Sequence, residues 1–181
     1  TEESTKLIEM LRAIHIDGVE IFLEPVKEHR FVFVMRGTGL RDTLTETDPL
    51  KVGVAPMPVK ALHPDAEKAA AVANKFIQQA NQMLKGLQPA NGIMLRGFAS
   101  FPEMPQYTEI FKLHAAAIAV NGMYRGVARL VGMDVLPVPG TSLADEFSTL
   151  EKFWPEYDFF YLHFKKTDTC GESGDFDGKV A

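Results

Sequence analysis

The strongest constraint on what this chain can fold into is a change of rhythm after residue 107. An apolar strand over 115–120 is followed by a helix over 123–131 that Gly132 closes, a strand over 134–138, a helix over 142–153 and a strand over 157–164. Strict alternation of short apolar strands with helices implies right-handed βαβ crossovers and a parallel sheet. Helices then cover the sheet, so its strands are apolar throughout instead of alternating. Only three strands are visible, against ~5–6 in a mean sheet, so part of the sheet is expected outside this chain.

The first hundred residues follow a different plan. Leu7, Ile8, Leu11 and Ile14 lie at helical spacing over 4–14, with Ser4 as a candidate N-cap. Two apolar runs, 19–23 and 31–35, flank a polar turn and predict a β-hairpin. Residues 37–64 carry too many Gly and Pro for a long regular element. The best helix runs over about 65–85, where Ala69, Val72, Ala73, Phe76, Ile77, Ala80, Met83 and Leu84 form one stripe between Pro64 and Gly86. A short strand over 90–95 is expected next. Helix, strand, strand, helix, strand describes an α+β sandwich with one sheet and its helices on one face. The whole is thus an α/β chain with an α+β domain over 1–106 and a parallel α/β region over 107–181.

Composition narrows the partners. A formal charge of −5 over 181 residues, with no basic run, lacks the footprint that nucleic acid or an anionic membrane would need. A small anionic metabolite held by a few arginines remains compatible with it. No apolar stretch approaches the ~20 residues of a membrane span, and no signal-peptide pattern opens the chain. One cysteine, Cys170, cannot form an intramolecular disulfide, which fits a reducing cytoplasm. The chain starts at Thr1 and stops a few residues after an acidic loop, and so reads as a piece of a longer polypeptide.

Candidate chemistry gathers at element ends. The segment 165–175, Lys-Lys-Thr-Asp-Thr-Cys-Gly-Glu-Ser-Gly-Asp, places Asp168, Glu172 and Asp175 beyond the last strand, at the edge where α/β sheets usually keep their ligands. Three carboxylates in a short loop suit a hard divalent cation, or simply a solvated turn. Arg36, Arg96 and Arg125 each precede a glycine at an element end, where a guanidinium fork can meet a phosphate or carboxylate, although a surface ion pair explains each one alone. Arg129 follows Arg125 by one helical turn. His114 and His163 read as structural imidazoles, and Cys170, among acidic neighbours, as a passive thiol. No serine-hydrolase elbow, P-loop or dinucleotide fingerprint is present.

Several blocks in order resemble the archaeal-type, cofactor-independent (2,3-bisphosphoglycerate-independent) phosphoglycerate mutases of the alkaline phosphatase superfamily. They are 47–53 (Thr-Asp-Pro-Leu-Lys-Val-Gly), 89–97 (Pro-Ala-Asn-Gly-Ile-Met-Leu-Arg-Gly), 112–119 (Lys-Leu-His-Ala-Ala-Ala-Ile-Ala), 125–134 (Arg-Gly-Val-Ala-Arg-Leu-Val-Gly-Met-Asp) and 157–175. The resemblance implies a two-metal enzyme that interconverts 3-phosphoglycerate and 2-phosphoglycerate through a phosphoserine intermediate. It casts 1–106 as an inserted cap and 107–181 as part of an alkaline phosphatase-like core. Arg36, Asn91, Arg96 and Arg125 become the expected substrate contacts, and Asp168 and Glu172 the expected ligands of manganese, magnesium or zinc. The nucleophilic serine and the remaining metal ligands are expected outside this chain, which would leave it inactive alone.

The match has departures. Glu172 falls where the family pattern Asp-x-x-Gly-His-x-Gly-Asp has histidine, which shifts metal preference from zinc toward magnesium or manganese. Leu50 stands where histidine is common, and Arg125 where lysine is common. Another phosphotransfer or phosphonate reaction on the same scaffold, or a noncatalytic metabolite-binding module, therefore stands beside the mutase reading.

Overall fold

The computed structural model describes residues 2–180, which divide between Phe101 and Pro102 into two compact units. In the first, α1 (Glu2–Leu11) precedes an antiparallel hairpin of β1 (Glu20–Pro25) and β2 (Phe31–Arg36). A single 3-10 turn at Pro64–Ala66 leads into α2 (Glu67–Leu84). The helix α1 begins earlier than its Ser4 cap would set it, with Glu2 and Glu3 in the first turn, where carboxylates complement the helix dipole.

Hairpin and helices share one core. Leu11, Ile14, Leu23, Phe76, Ala80, Leu84 and Leu95 are buried together, and Phe33 stacks on Phe76 with ring centroids 4.3 Å apart. Residues 37–63 form no regular element beyond an isolated bridge between Leu44 and Ala61. They are tied to α2 by Asn74, whose amide donates to the Val59 carbonyl at 2.8 Å and accepts from the Val59 N–H at 2.9 Å.

The strand expected over 90–95 does not form, so the sheet of this unit has two strands instead of three. The physical reason is where its N–H groups go. Leu95 N donates to Thr47 Oγ1, Ile93 N to Asn81 Oδ1, Gly97 N to Glu46 Oε1 and Ser100 N to Asp42 Oδ2. Side-chain acceptors hold the segment where a ladder would have used backbone carbonyls.

The second unit follows the alternation closely. A short α3 (Tyr107–Phe111), not foreseen, precedes β3 (Ala115–Ala119), α4 (Gly122–Leu130), β4 (Asp134–Val135), α5 (Leu143–Phe153) and β5 (Phe159–His163). The sheet is parallel, in the order β4-β3-β5, with Ala115 opposite Phe159 and Ala119 opposite His163. Every residue of β3 is buried. At the amino ends of the strands, the His114 ring reaches Asp134 Oδ2 and the Glu156 carbonyl, each at 3.2 Å, and stacks on Tyr157. That matches the structural role expected for it.

The helix α5 opens on a full capping box between Ser142 and Asp145, the geometry that satisfies two orphan amide donors at once. One turn on, its core-facing stripe contains a carboxyl. Glu146 is 1% exposed, lies at helical spacing from buried Thr149 and half-buried Leu150, and its Oε2 meets no hydrogen-bond donor. Burial pushes the Glu146 carboxyl above its ordinary range, because the ionised form would lose hydration there. No helix among the described residues is long and apolar enough to cross a membrane.

Two outcomes follow from this packing. Phe76→Ala should destabilise the chain by about 3–5 kcal/mol in chemical denaturation, the range for emptying a buried aromatic site, and a loss below about 1 kcal/mol would remove α2 from the core. Glu146 releases its proton at lower pH unfolded than folded, so stability should fall as pH rises above the ordinary carboxylate range toward the raised folded value. Thermal melts of Glu146→Gln should therefore converge with wild type near pH 4 and exceed it increasingly toward pH 8. A gap independent of pH would contradict the buried acid.

Candidate functional site

In the first unit, the ends of β2 and of the 89–97 segment face a broad open groove lined by Arg36, Arg41, Asp48, Asn91 and Arg96. Arg36 extends from the last position of β2, lies over the Phe22 ring at 4.7 Å and approaches Glu20 at 3.9 Å. Arg96 is aimed by Asp48, whose half-buried carboxylate lies 3.5 Å from its guanidinium. The same carboxylate accepts the Leu50 N–H at 2.8 Å, and Leu50 sits at a φ of 52° with its side chain in solvent. Leu50, where the family pattern often has histidine, is thus an exposed turn residue beside the arginine-bearing segment.

Thr47 anchors this wall from beneath. It is buried, donates its N–H and hydroxyl to the Leu95 carbonyl at 2.9 and 3.1 Å, and accepts the Leu95 N–H at 2.8 Å. Farther along, Ser100 holds the Asp42 carboxyl below its ordinary value by donating from both N–H and hydroxyl. Three of the four expected substrate residues, Arg36, Asn91 and Arg96, are therefore exposed side chains on one groove. The fourth, Arg125, belongs to the second unit, half-buried on α4, whose amino end is capped by Asn121 accepting from Met123 N at 3.0 Å.

The carboxyl edge of the parallel sheet carries the other candidates. The loop expected over 165–175 is instead mostly helical: α6 (Lys166–Ser173) and α7 (Phe176–Val180) with Gly174 between them at a φ of 73°. The Lys165–Asp168 pair across its first turn and the left-handed Gly174 at its end account for it. The Thr169 and Ser173 hydroxyls donate to carbonyls one turn earlier, and Gly174 takes the left-handed turn that ends the helix. Asp175 is used as a cap, accepting the Gly178 N–H at 2.9 Å.

Asp168 and Glu172 come to lie one turn apart on α6, both exposed. The Asp168 carboxylate is paired with the Lys165 ammonium. That hydrogen bond, then the charges of Lys165, Lys179 and His163, hold Asp168 below its ordinary value. Reciprocally, the bond to Asp168 lifts Lys165, with Glu172 adding to the effect. His163, at the end of β5, stacks on Tyr124 with centroids 3.4 Å apart, and its buried Nδ1 has no hydrogen-bond partner, so this imidazole is not the fully satisfied one expected. Cys170 is free and buried, as a passive thiol would be.

Among the described residues, no three His, Cys, Asp or Glu side chains converge on one point. A divalent cation takes six or more oxygen donors, or a compact set of nitrogen and sulfur ligands. Two exposed carboxylates, one of them already paired with an ammonium, do not fit a resident metal. Lys165 and Glu146 are the residues that sequence reasoning passed over. The first needs the helix of α6 to bring it to Asp168, and the second is indistinguishable from a surface glutamate until α5 packs.

The chain is a two-unit α/β protein with an arginine-lined groove in one unit and, in the other, a parallel sheet whose edge bears basic and acidic groups. The family model for 2,3-bisphosphoglycerate-independent phosphoglycerate mutase matches residues 1–91. Relatives named "Probable 2,3-bisphosphoglycerate-independent phosphoglycerate mutase" are 44% identical in Thermosipho africanus, over 99% of this chain, and 43% identical in Aquifex aeolicus, over all of it. The chain spans 45% and 46% of their lengths. In fold it is similar to the cofactor-independent phosphoglycerate mutase of Thermoplasma acidophilum, with a TM-score of 0.68 at 21% identity over 90% of this chain and 48% of that one. A Pyrococcus horikoshii protein gives 0.72, also at 21% identity, over 99% and 45%. The chain belongs to the 2,3-bisphosphoglycerate-independent phosphoglycerate mutase family.

Proposed function

We propose that this chain supplies the cap and part of the alkaline phosphatase-like core of a cytoplasmic phosphoglycerate mutase, which interconverts 3-phosphoglycerate and 2-phosphoglycerate through a phosphoserine intermediate. The observation that carries the reading is the groove of the first unit, where the guanidinium groups of Arg36 and Arg96 and the Asn91 amide are among the lining groups in a chain of this family. A phosphoglycerate carries a phosphate and a carboxylate, and a planar guanidinium matches either with two parallel N–H donors. Asp48 holds the Arg96 fork in place before substrate arrives, so less side-chain entropy is lost on binding. Asn91 can donate to a phosphate oxygen or exchange a hydrogen bond with a hydroxyl. In the second unit Arg125 offers a further anion contact from α4.

No step is assigned to a metal in this chain, because the donor set does not fit one. In the whole protein, Asp168 and Glu172 would join manganese or magnesium only with additional donors and after release of Lys165. That pairing also favours a second reading, a noncatalytic module that binds phosphoglycerate through the groove. Calorimetry against turnover separates the two.

A protein of the relatives' full length carrying this chain should convert 3-phosphoglycerate to 2-phosphoglycerate with manganese present, followed by phosphorus NMR, whereas the 181-residue chain alone should not. No turnover in the metal-loaded full-length protein would overturn the mutase reading, and binding without turnover would favour the module. In that protein Arg96→Ala should lower kcat/KM by about 10- to 100-fold, corresponding to loss of a charged hydrogen bond of about 1.5–3 kcal/mol. Asp48→Asn should lower it less, chiefly through KM.

A further inference from the structure

The two edges of the hairpin in the first unit are finished differently. The bond from the Val26 N–H to the Arg30 carbonyl sets its phase, so Val32, Val34 and Arg36 turn their N–H and C=O groups toward β1. Phe31, Phe33 and Met35 turn theirs away from it. On β1 the corresponding outward carbonyl, that of Leu23, accepts two N–H groups of the Arg12 guanidinium at 3.0 and 2.8 Å, and Pro25 has no N–H to offer. On β2, no partner among the described residues meets the outward backbone groups of Phe31, Phe33 or Met35. The strand reads Phe-Val-Phe-Val-Met-Arg in an uninterrupted register, without the proline, lysine or bulge by which proteins blunt an exposed edge.

The groove beside this edge has a second wall with the same pattern. Ile93, Leu95 and Gly97 give their N–H groups to the side chains of Asn81, Thr47 and Glu46, whereas those of Met94 and Arg96 meet no described acceptor. A period of two is that of extended chain, and burial follows it, with Leu95 buried between exposed Met94 and Arg96. Both walls line one groove within the first unit.

We infer that β2 is an interior strand of the full-length protein, where a strand from the part of the polypeptide outside this chain lies in the groove and pairs with the edge of Phe31, Phe33 and Met35. This chain spans 45% and 46% of its relatives, so more than half of the family's length can supply it. Main-chain bonds give such an added strand its affinity, and its side chains follow from the neighbours. Those on the core face join Phe31, Phe33 and Met35, which pack on the core of this unit, so every second residue of the strand is apolar. A second copy of the chain is a poorer occupant. The symmetric antiparallel register that engages all three residues centres on Phe33 and sets Arg30 opposite Arg36 of the other copy, a like-charge pair that opposes it. The pairing uses backbone groups, leaves the side chains of Arg36, Asn91 and Arg96 to the substrate, and does not depend on the mutase reading.

The test is amide hydrogen exchange, followed by NMR, on the 181-residue chain and on a protein of the relatives' full length carrying it. In the 181-residue chain Val32 and Val34, bonded to β1, should exchange slowly, and Phe33 and Met35 rapidly. In the longer protein Phe33 and Met35 should slow by at least about 100-fold, as amides in a core ladder do. The Phe33 N–H should also show a nuclear Overhauser contact to an α-proton outside residues 1–181. Rapid exchange at Phe33 and Met35 in the longer protein, or slow exchange without that contact, would overturn the added strand. Slow exchange in the 181-residue chain with a dimeric mass would do so too, by giving the edge to a second copy. Turnover enters neither readout: an inactive longer protein with slowed amides keeps the strand, and an active one with rapid amides loses it.

Discussion

The second unit depends on β3. Ala115, Ala116, Ala117, Ile118 and Ala119 are all buried, and both neighbouring strands pair with this one. Alanine side chains project little, so the helices packing on β3 can approach closely, and the strand becomes the axis to which α4 and α5 are referred. Parallel pairing then does the positional work. Because Ala119 lies opposite His163, the chain leaves β3 and β5 at the same level, and Asn121 and Lys165 emerge side by side at one edge. An antiparallel pair would have sent those two connections to opposite ends of the sheet.

The first unit solves a different problem. Its hairpin and α2 form a conventional core, but about half of its length is irregular backbone that must still satisfy its amides. Asn74, Asn81, Thr47, Glu46 and Asp42 do so with side-chain acceptors. These bonds run from the 42–47 stretch and from α2 to the 89–100 segment and Val59, so they also fix where Asn91 and Arg96 face the groove. A segment held this way need not obey the straightness of a strand, and its arginine can be presented at a bend.

Periodicity made much of this legible. The stripe from Ala69 to Leu84 foretold α2, the two runs about 24–30 foretold the hairpin, and the alternation after 107 foretold a parallel three-stranded sheet. What failed had no periodic signal. The segment 90–95 is apolar like a strand, but its partners are polar side chains scattered from Asp42 to Asn81, a pairing that no local pattern records. The helix α6 has Lys166, Thr167, Asp168, Thr169, Gly171, Glu172 and Ser173 around a single buried Cys170, a composition that reads as a turn. It is held by the Lys165–Asp168 pair, which is not visible before the helix exists. The spacing of Asp168 and Glu172 was readable for the candidate site, whereas the lysine between Asp168 and a metal was not.

Glu172 can be understood in the same electrostatic terms. Over 165–180, Lys165, Lys166 and Lys179 stand against Asp168, Glu172, Asp175 and Asp177, so Glu172 leaves this segment with one negative charge in excess. It also raises the proton affinity of Lys165, whose ammonium holds Asp168. The Glu172 carboxylate and the pairing of Asp168 with lysine act in opposite senses on a hard cation: the carboxylate attracts it, while strengthening the ammonium already bonded to Asp168. Which effect wins is decided by geometry. Asp168 and Glu172 are both exposed on one helix, so a cation there would keep most of its water and gain little, whereas the half-buried Lys165 ammonium bonds Asp168 directly. Within this chain the balance lies with the lysine.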